Sequence, residues 1–217
     1  YYGSHGQPCD VRAQDVREKD GILCFRAVTD KENFQVELAL EGLHFVPDAL
    51  TAITVGLMLD VPVTRIQERL SMFRNMAGRQ EIFSWKGYTI IKDCYNAGPE
   101  SMAAALGVLG NRHGRRIAVL GDMLELGACT QAEHYRVGRI AAEKADILLA
   151  YGPNGRRVLS GAMTGGMTDT KAMAFEDRDK LVAVLRRLTK PGDVLLFKGS
   201  RGMRMELILE KFLQDET

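Results

Sequence analysis

A short apolar run, Arg116-Ile117-Ala118-Val119-Leu120, ends at Gly121 and is typical of a buried strand. Thr130 to Lys144, which follow, carry apolar side chains at helical spacing, and Asp146 to Ala150 form another short, mostly apolar run. Strand, helix and strand in this order predict two parallel strands joined by a crossover helix. We therefore expect the residues on either side to extend one α/β sheet.

The same alternation continues in both directions from this unit. The further elements predicted are strands at 80–85 and 88–93, a helix at 101–109, a helix at 181–188, a strand at 194–197 and a helix at 205–212. The predicted fold class is α/β, with a Rossmann-like, mostly parallel sheet covered by helices. Ligands of such sheets bind at the carboxyl ends of the strands.

The first part of the chain has a different pattern. Alternating apolar runs at Gly21–Phe25 and Phe34–Leu38 predict antiparallel strands. Helical patterns begin at Pro47, which suits a first helical turn, and at Val63. This part is therefore predicted as strands followed by two helices.

A domain boundary is predicted near Gly78, where the second helical pattern breaks and the strand and helix alternation starts. The two predicted domains are residues 1–77 and 78–217. Because the first is small for an independent core, we expect it to be the remainder of something larger.

Composition excludes several classes of protein. The 217 residues are 46% hydrophobic and 26% charged, as in ordinary globular proteins, and 29 basic against 28 acidic residues leave a net charge of +1. Non-specific binding to nucleic acid is therefore disfavoured. The four cysteines form no CxxC pair, and neither a signal peptide nor a long apolar run is evident. We expect a cytoplasmic protein without membrane insertion.

Three polar segments follow predicted strands, at the edge where a ligand site is expected. They are Asp93 to Met102, Gly121 to Gly127 and Lys198 to Gly202. The first two also have a plainer interpretation, because Asp93 and Asn96 could cap a helix near Pro99 and Asp122 could cap a turn. Their chemistry alone leaves both interpretations open.

The segment Lys198-Gly199-Ser200-Arg201 carries the strongest chemical signal. Two cations and a hydroxyl lie between a buried strand and a helix start, where free backbone N–H groups also attract anions. An anion site is therefore predicted. By contrast, His134 lies within a predicted helix, where a packed or surface histidine is favoured over a catalytic one.

Two common nucleotide-binding motifs are absent from the sequence. No G-x-x-x-x-G-K-[ST] occurs anywhere, and no G-x-G-x-x-G opens the Rossmann-like part. A P-loop within this chain is excluded, and ordinary dinucleotide binding is disfavoured.

Taken in order, these segments resemble the Mur ligases, the ATP-dependent amide-forming enzymes of peptidoglycan synthesis. The matching pieces are Gly42-x-His44 with Ala49-Leu50-x-Ala52, Gly78-Arg79, Asp93-x-Tyr95-Asn96-Ala97, Gly121-Asp122-Met123-x-Glu125-Leu126-Gly127, His134-x-x-Val137-Gly138 and Lys198-Gly199-Ser200-Arg201. Each piece is weak alone, but six in family order over nearly the whole chain are specific. Within the family, the pattern is most similar to the members that add D-alanyl-D-alanine to UDP-N-acetylmuramoyl-tripeptide.

The resemblance implies a UDP-sugar-binding domain, a P-loop ATPase domain and a C-terminal Rossmann-like domain. Residues 1–77 would then be the tail of the ATPase domain and residues 78–217 the C-terminal domain. The P-loop and the Mg²⁺ ligands would lie upstream of Tyr1. A chain of this extent is expected to be a C-terminal fragment that is inactive alone.

The resemblance also implies roles for individual residues. ATP would be bound by Asp48 at the adenine and by Arg79 and Asp93 at the ribose. Two departures bear on these roles: Phe45 and Asp48 stand where the family usually has asparagine, and Gly98 replaces the last residue of its usual Asn-Ala-Asn. An aspartate accepts from the adenine amino group but cannot donate to a ring nitrogen.

The implied chemistry is activation of the tripeptide carboxylate by ATP to an acyl phosphate, which the dipeptide amine then attacks. Lys198 and Arg201 would be the catalytic cations, stabilising the charged intermediate or gripping the dipeptide carboxylate, and Asn96 and Ser200 would bind substrate. Two alternatives remain open. One is another Mur-type or folylpolyglutamate-type ligase, and the other is a non-catalytic Rossmann-like module that binds an anion.

Overall fold

A computed structural model describes residues 2–3, 10–19 and 21–214 of the chain. These residues divide into two compact units, of which one ends at Asn75 and the other begins at Met76. The division lies close to the boundary predicted from the sequence. Among the described residues, no helix combines the length and the apolar character that crossing a bilayer requires.

The first unit contains a four-stranded sheet in the order β1-β2-β3-β4. The strands are β1 (Tyr2–Gly3), β2 (Val11–Lys19), β3 (Ile22–Thr29) and β4 (Asn33–Leu38). β1 pairs parallel with β2, and the other two pairs are antiparallel, as the alternating apolar runs predicted. Every second residue of β4 is buried, starting from Phe34, so one face of the sheet supplies the core.

Two helices cover that face of the sheet. α1 (Phe45–Met58) buries Ala49, Leu50 and Ile53, whose spacing places them on one side of the helix. α2 (Val63–Met72) buries Ile66 against the same cluster. This unit therefore has a hydrophobic core of its own.

The second unit contains a six-stranded sheet in the order β5-β6-β10-β7-β8-β9. The strands are β5 (Glu81–Trp85), β6 (Tyr88–Asp93), β7 (Arg116–Gly121), β8 (Ile147–Tyr151), β9 (Ala172–Phe175) and β10 (Val194–Lys198). β5 pairs antiparallel with β6, whereas all the other neighbours are parallel. The predicted α/β fold with a mostly parallel sheet is confirmed.

Helices cover both faces of this sheet. They are α3 (Pro99–Gly110), α4 (Thr130–Lys144), α5 (Gly155–Thr164), α6 (Arg178–Leu188) and α7 (Met205–Leu213). The side chains of β7 alternate between two cores: Ala118 and Leu120 join α3, α4 and α5, and Ile117 and Val119 join α6 and α7. Because both faces are buried, the central strands are continuously apolar.

Helix α5 and strand β9 were not predicted from the sequence. α4 and α5 approach so closely that a Cβ atom built on Gly138 would lie 1.9 Å from the Val158 carbonyl oxygen. A Cβ on Gly161 would lie 2.0 Å from the Tyr135 carbonyl oxygen. Glycine at both positions is therefore a packing requirement, although glycine lowers helix propensity and so hides α5 in the sequence.

We predict that Gly138→Ala destabilises the chain by about 3 kcal/mol or more, because the added methyl group forces two helices apart in a packed core. The matched control is Gly107→Ala in α3, where a Cβ would meet nothing within 4 Å. That change should leave stability equal or raise it by about 0.5–1 kcal/mol. Equilibrium urea unfolding of both variants measures the difference, and equal free energies of unfolding would contradict the packing argument.

Candidate functional site

The three polar segments predicted from the sequence meet at one edge of the second sheet. β10 lies between β6 and β7, and Lys198 is in register with Asp93 on one side and Leu120 on the other. Because all three strands are parallel, the residues that follow them leave the sheet side by side. A Cβ on Gly199 would lie 3.0 Å from the Gly121 Cα atom, so glycine permits this close approach.

Lys198 is the most buried cation at this edge, with only 2% of its side chain exposed. Its Nζ donates to Asp93 Oδ2 at 2.6 Å and to the Asn96 carbonyl oxygen at 3.1 Å. A buried ammonium group needs such partners, because leaving water costs it several kcal/mol. Lys198 therefore ties the end of β10 to the segment that follows β6.

Ser200 forms a second connection between the same segments. Its hydroxyl donates to the Ala97 carbonyl oxygen at 3.1 Å and accepts from the Leu124 N–H at 2.8 Å. Its own N–H donates to the Asp122 carbonyl oxygen at 3.0 Å. Ser200 is buried, so the structure gives it a connecting position within the edge of the sheet.

Asp122 is 1% exposed and holds the start of α5. Its carboxylate accepts from the Asn154 backbone N–H at 3.1 Å and from the Asn154 Nδ2 at 2.8 Å. Asn154 is the N-cap residue of α5, where backbone N–H groups lack helical partners. The carboxylate thus holds a helix terminus 32 residues away, which differs from the turn cap considered from the sequence.

His134 lies fully buried beneath the loop that follows β7. Its Nδ1 lies 2.6 Å from the Thr130 carbonyl oxygen, and its Nε2 accepts from the Met123 N–H at 3.0 Å. A carbonyl oxygen only accepts, so the ring proton is on Nδ1 and the imidazole is neutral in this arrangement. The packed role favoured by the sequence is the one observed.

Asp93 and Arg79, the expected ribose residues, lie in adjacent segments. Asp93 Oδ1 accepts from the Gln80 N–H at 3.3 Å. The Arg79 guanidinium stacks 4.3 Å from the centre of the Tyr95 ring, and the Tyr95 N–H donates to the Gly78 carbonyl oxygen at 3.0 Å. Both predicted residues are therefore held beside the end of β6.

The capping interpretation of Asp93 and Asn96 does not hold in the structure. α3 has Gly98 as its N-cap residue, and the Gly98 N–H and carbonyl group both bond the Ser101 hydroxyl. The Asn96 Oδ1 instead accepts from the neighbouring Ala97 N–H at 2.9 Å. Asn96 is exposed, so its side chain remains accessible to a ligand.

Arg201 is the exposed cation of the edge, with 69% of its side chain accessible. Its Nη1 lies 3.2 Å from Glu206 Oε1 in α7. At this exposure the ion pair contributes little to stability, and the guanidinium keeps donors for an incoming anion. Lys198 and Arg201 thus differ in kind, since one is enclosed by protein and the other faces solvent.

Cys94, next to Asp93, takes no part in the chemistry of the edge. Burial, with a smaller effect from Glu206 and Asp93, raises the pKa of its thiol to about 12. Its Sγ lies 3.4 Å from the Phe197 carbonyl oxygen. The group therefore stays a neutral thiol and a packing residue.

Asp48, the expected adenine residue, belongs to the first unit. It is exposed at an open groove of about 500 Å³. The remaining lining of the groove is apolar and consists of Leu38, Leu40, Phe45, Ala49, Ala52, Leu70 and Phe73. Within the described part of the chain, no three His, Cys, Asp or Glu side chains are placed to hold a metal ion together.

A family model described as "Mur ligase, glutamate ligase domain" matches residues 78–201, more than half of the chain. The chain belongs to the Mur ligase family. This match covers the edge described above, from Arg79 to Arg201.

Two curated relatives share one name. The UDP-N-acetylmuramoyl-tripeptide–D-alanyl-D-alanine ligase of Bacillus subtilis is 32% identical over 217 residues, covering 98% of this chain and 47% of the relative. The ligase of the same name from Synechocystis sp. is 33% identical, covering 85% of this chain and 40% of the relative. The chain therefore spans about half the length of the curated relatives it matches.

Solved structures agree with this family membership. Crystal structure I of MurF from Acinetobacter baumannii has a TM-score of 0.89 and 29% identity, covering 99% of this chain and 46% of that one. MurF ligase from Thermotoga maritima in complex with ADP has a TM-score of 0.80 and 25% identity, with coverages of 98% and 47%. The fold is thus that of the corresponding part of these Mur ligases.

The buried histidine of this Mur ligase chain is expected to be structural. We predict that His134→Ala lowers the free energy of unfolding by about 3 kcal/mol, because it opens a cavity and leaves the Met123 N–H without its acceptor. The control is the exposed His113→Ala, which should change stability by about 0.5 kcal/mol or less. Denaturant unfolding compares the two, and a similar loss in both would disprove the assignment.

Proposed function

We propose that this chain forms the C-terminal part of an ATP-dependent ligase that joins D-alanyl-D-alanine to UDP-N-acetylmuramoyl-tripeptide through an acyl phosphate. The observation that carries the proposal is the strand edge at Lys198-Gly199-Ser200-Arg201, where an enclosed cation and an exposed cation lie three residues apart in the sequence. The names of the relatives support the same reaction. They also favour it over a different Mur-type ligase.

Arg201 is the residue we assign to the dipeptide carboxylate or to the charge that develops during amide formation. An exposed guanidinium binds a carboxylate through two parallel hydrogen bonds, and it stabilises negative charge without a proton transfer. Lys198 is proposed to act with it as the second cation of the site. Because its ammonium group already holds Asp93 and the Asn96 carbonyl, its charge acts from a fixed position.

Asn96 and Ser200 are proposed to serve the substrate in different ways. The exposed Asn96 side chain is available for a direct hydrogen bond. The Ser200 hydroxyl already has a donor and an acceptor, so its proposed contribution is to fix the backbone on which Arg201 is carried. The hydroxyl keeps one further acceptor position, but Ser200 is only 3% exposed, which limits direct contact with substrate.

The residues proposed to bind ATP offer hydrogen-bond partners for its ribose and its adenine. Each Asp93 oxygen has one donor, and a carboxylate offers about four acceptor positions, so Asp93 can still accept from a ribose hydroxyl. Arg79 presents donors from its position on the Tyr95 ring. In the first unit, Asp48 can accept from the adenine amino group beside an apolar groove. ATP, when bound, supplies the phosphoryl group that activates the carboxylate.

A complete ligase that carries this chain is expected to depend on Arg201. We predict that Arg201→Ala lowers kcat/KM for D-alanyl-D-alanine about tenfold to hundredfold, the equivalent of losing one charge-assisted contact. Its melting temperature should stay close to that of the parent, because the residue is exposed. Arg187→Ala, at an exposed arginine of α6, is the control and should keep its activity. Normal kinetics in a folded Arg201→Ala protein would refute the role.

ATP affinity is expected to depend on the Arg79 and Tyr95 pair. We predict that Arg79→Ala raises KM for ATP about tenfold and leaves KM for the dipeptide unchanged, because only ribose contacts are lost. Tyr95→Phe keeps the ring on which the guanidinium stacks and should match the parent, whereas Tyr95→Ala should resemble Arg79→Ala. Steady-state kinetics with each substrate varied in turn measures this. A larger effect on the dipeptide would reverse the assignment.

A further inference from the structure

Leu124 is an apolar residue that the strand edge holds in an exposed position. Its side chain is 42% exposed, although the preceding Met123 is 1% exposed and packed in the core. The Leu124 N–H donates to the Ser200 hydroxyl at 2.8 Å, which fixes its backbone to the segment after β10. The leucine is therefore presented to solvent by a backbone that cannot easily turn it inward.

The Leu124 side chain lies directly against the residue that follows Arg201. A Cβ built on Gly202 would come within 2.7 Å of Leu124 Cδ1 and nothing else within 4 Å. The leucine methyl group thus rests on the bare backbone of Gly202. The apolar Leu124 side chain therefore lies against the residue next to Arg201, whose guanidinium group is exposed.

Backbone conformation on both sides of this contact is unusual. Glu125, which follows Leu124, has φ of 64°, and Arg204, two residues after Gly202, has φ of 49°. Non-glycine residues adopt this left-handed region at a cost of about 1 kcal/mol or more, and such residues cluster at ligand sites. Glu125 adjoins the contact directly, whereas Arg204 lies two residues beyond it as the N-cap residue of α7.

We propose that Leu124 contacts the methyl group of the C-terminal D-alanine and so determines which dipeptide the ligase accepts. This inference rests on the proposed function, and on the first of the two roles proposed there for Arg201, which is binding of the dipeptide carboxylate. The carboxylate and the methyl group are attached to the same carbon atom, and Leu124 lies against the residue next to Arg201, so we assign the leucine to that methyl group. The N-terminal alanine lies one peptide unit away from this contact.

The test compares three dipeptides in a complete ligase that carries this chain. They are D-alanyl-D-alanine, D-alanyl-glycine, which lacks the C-terminal methyl group, and glycyl-D-alanine, which lacks the other one. For the parent we expect kcat/KM about tenfold higher for D-alanyl-D-alanine than for D-alanyl-glycine, near the low end for one methyl group because the contact is half exposed. In Leu124→Ala the preference for D-alanyl-D-alanine over D-alanyl-glycine should fall to about twofold. The preference for D-alanyl-D-alanine over glycyl-D-alanine should stay unchanged.

Three further variants complete the design. Leu124→Met keeps an apolar side chain of similar size and should restore most of the ratio. Gly202→Ala should displace the leucine side chain and lower the ratio while leaving residue 124 unaltered. Met163→Ala removes an apolar side chain that is 45% exposed on α5 and should keep the parent ratio. If Leu124→Ala fails to fold, the ratios of Leu124→Met and Gly202→Ala still decide the question.

The outcomes separate this inference from the proposed function. A ligase that joins D-alanyl-D-alanine but keeps the same dipeptide ratio in Leu124→Ala and Gly202→Ala overturns the role of Leu124 alone. A change in the ratio to glycyl-D-alanine, with the other ratio constant, would equally overturn it. No ligation of D-alanyl-D-alanine by the parent protein would overturn the proposed function and this inference together.

Discussion

The buried ion pair between Lys198 and Asp93 is the interaction on which the candidate site depends. An ammonium group that is 2% exposed has lost its hydration, so it must be held by the carboxylate and by the Asn96 carbonyl oxygen. Asp93 ends β6 and Asn96 lies just after it, whereas Lys198 ends β10. The need to pair the buried ammonium group therefore fixes the ends of β6 and β10 relative to each other. This in turn limits where Arg79 and Arg201 can lie.

The Ser200 hydroxyl extends this constraint to a third strand end. It bonds the Ala97 carbonyl oxygen and the Leu124 N–H. The loop between β7 and Leu124 is also held by two backbone groups: the Met123 N–H donates to His134, and the Asp122 carbonyl oxygen accepts from the Ser200 N–H. Lys198, Ser200, Asp122 and His134 therefore form a buried frame at this edge of the sheet. Asn96, Arg201 and Leu124 are exposed beside it.

Periodicity predicted most of the second unit because its central strands are buried on both faces and its long helices are amphipathic. α5 and β9 escaped prediction for physical reasons. α5 contains Gly161, which its packing against α4 demands and which lowers its helix propensity, and β9 has only four residues. In the candidate site, the sequence indicated Lys198 and Asp93 separately. It gave no sign of Leu124, since an exposed leucine in a loop has no pattern of its own.

The sequence by itself determined the α/β class, the place of the polar segments after strands and the family resemblance, because these follow from local periodicity and from the order of short motifs. Only the tertiary structure decided that Lys198 is enclosed and Arg201 is exposed. Lys198 meets a carboxylate 105 residues away, and Ser200 meets a carbonyl group 103 residues away. Burial and pairing at such separations result from the strand order β6-β10-β7, which no local pattern specifies.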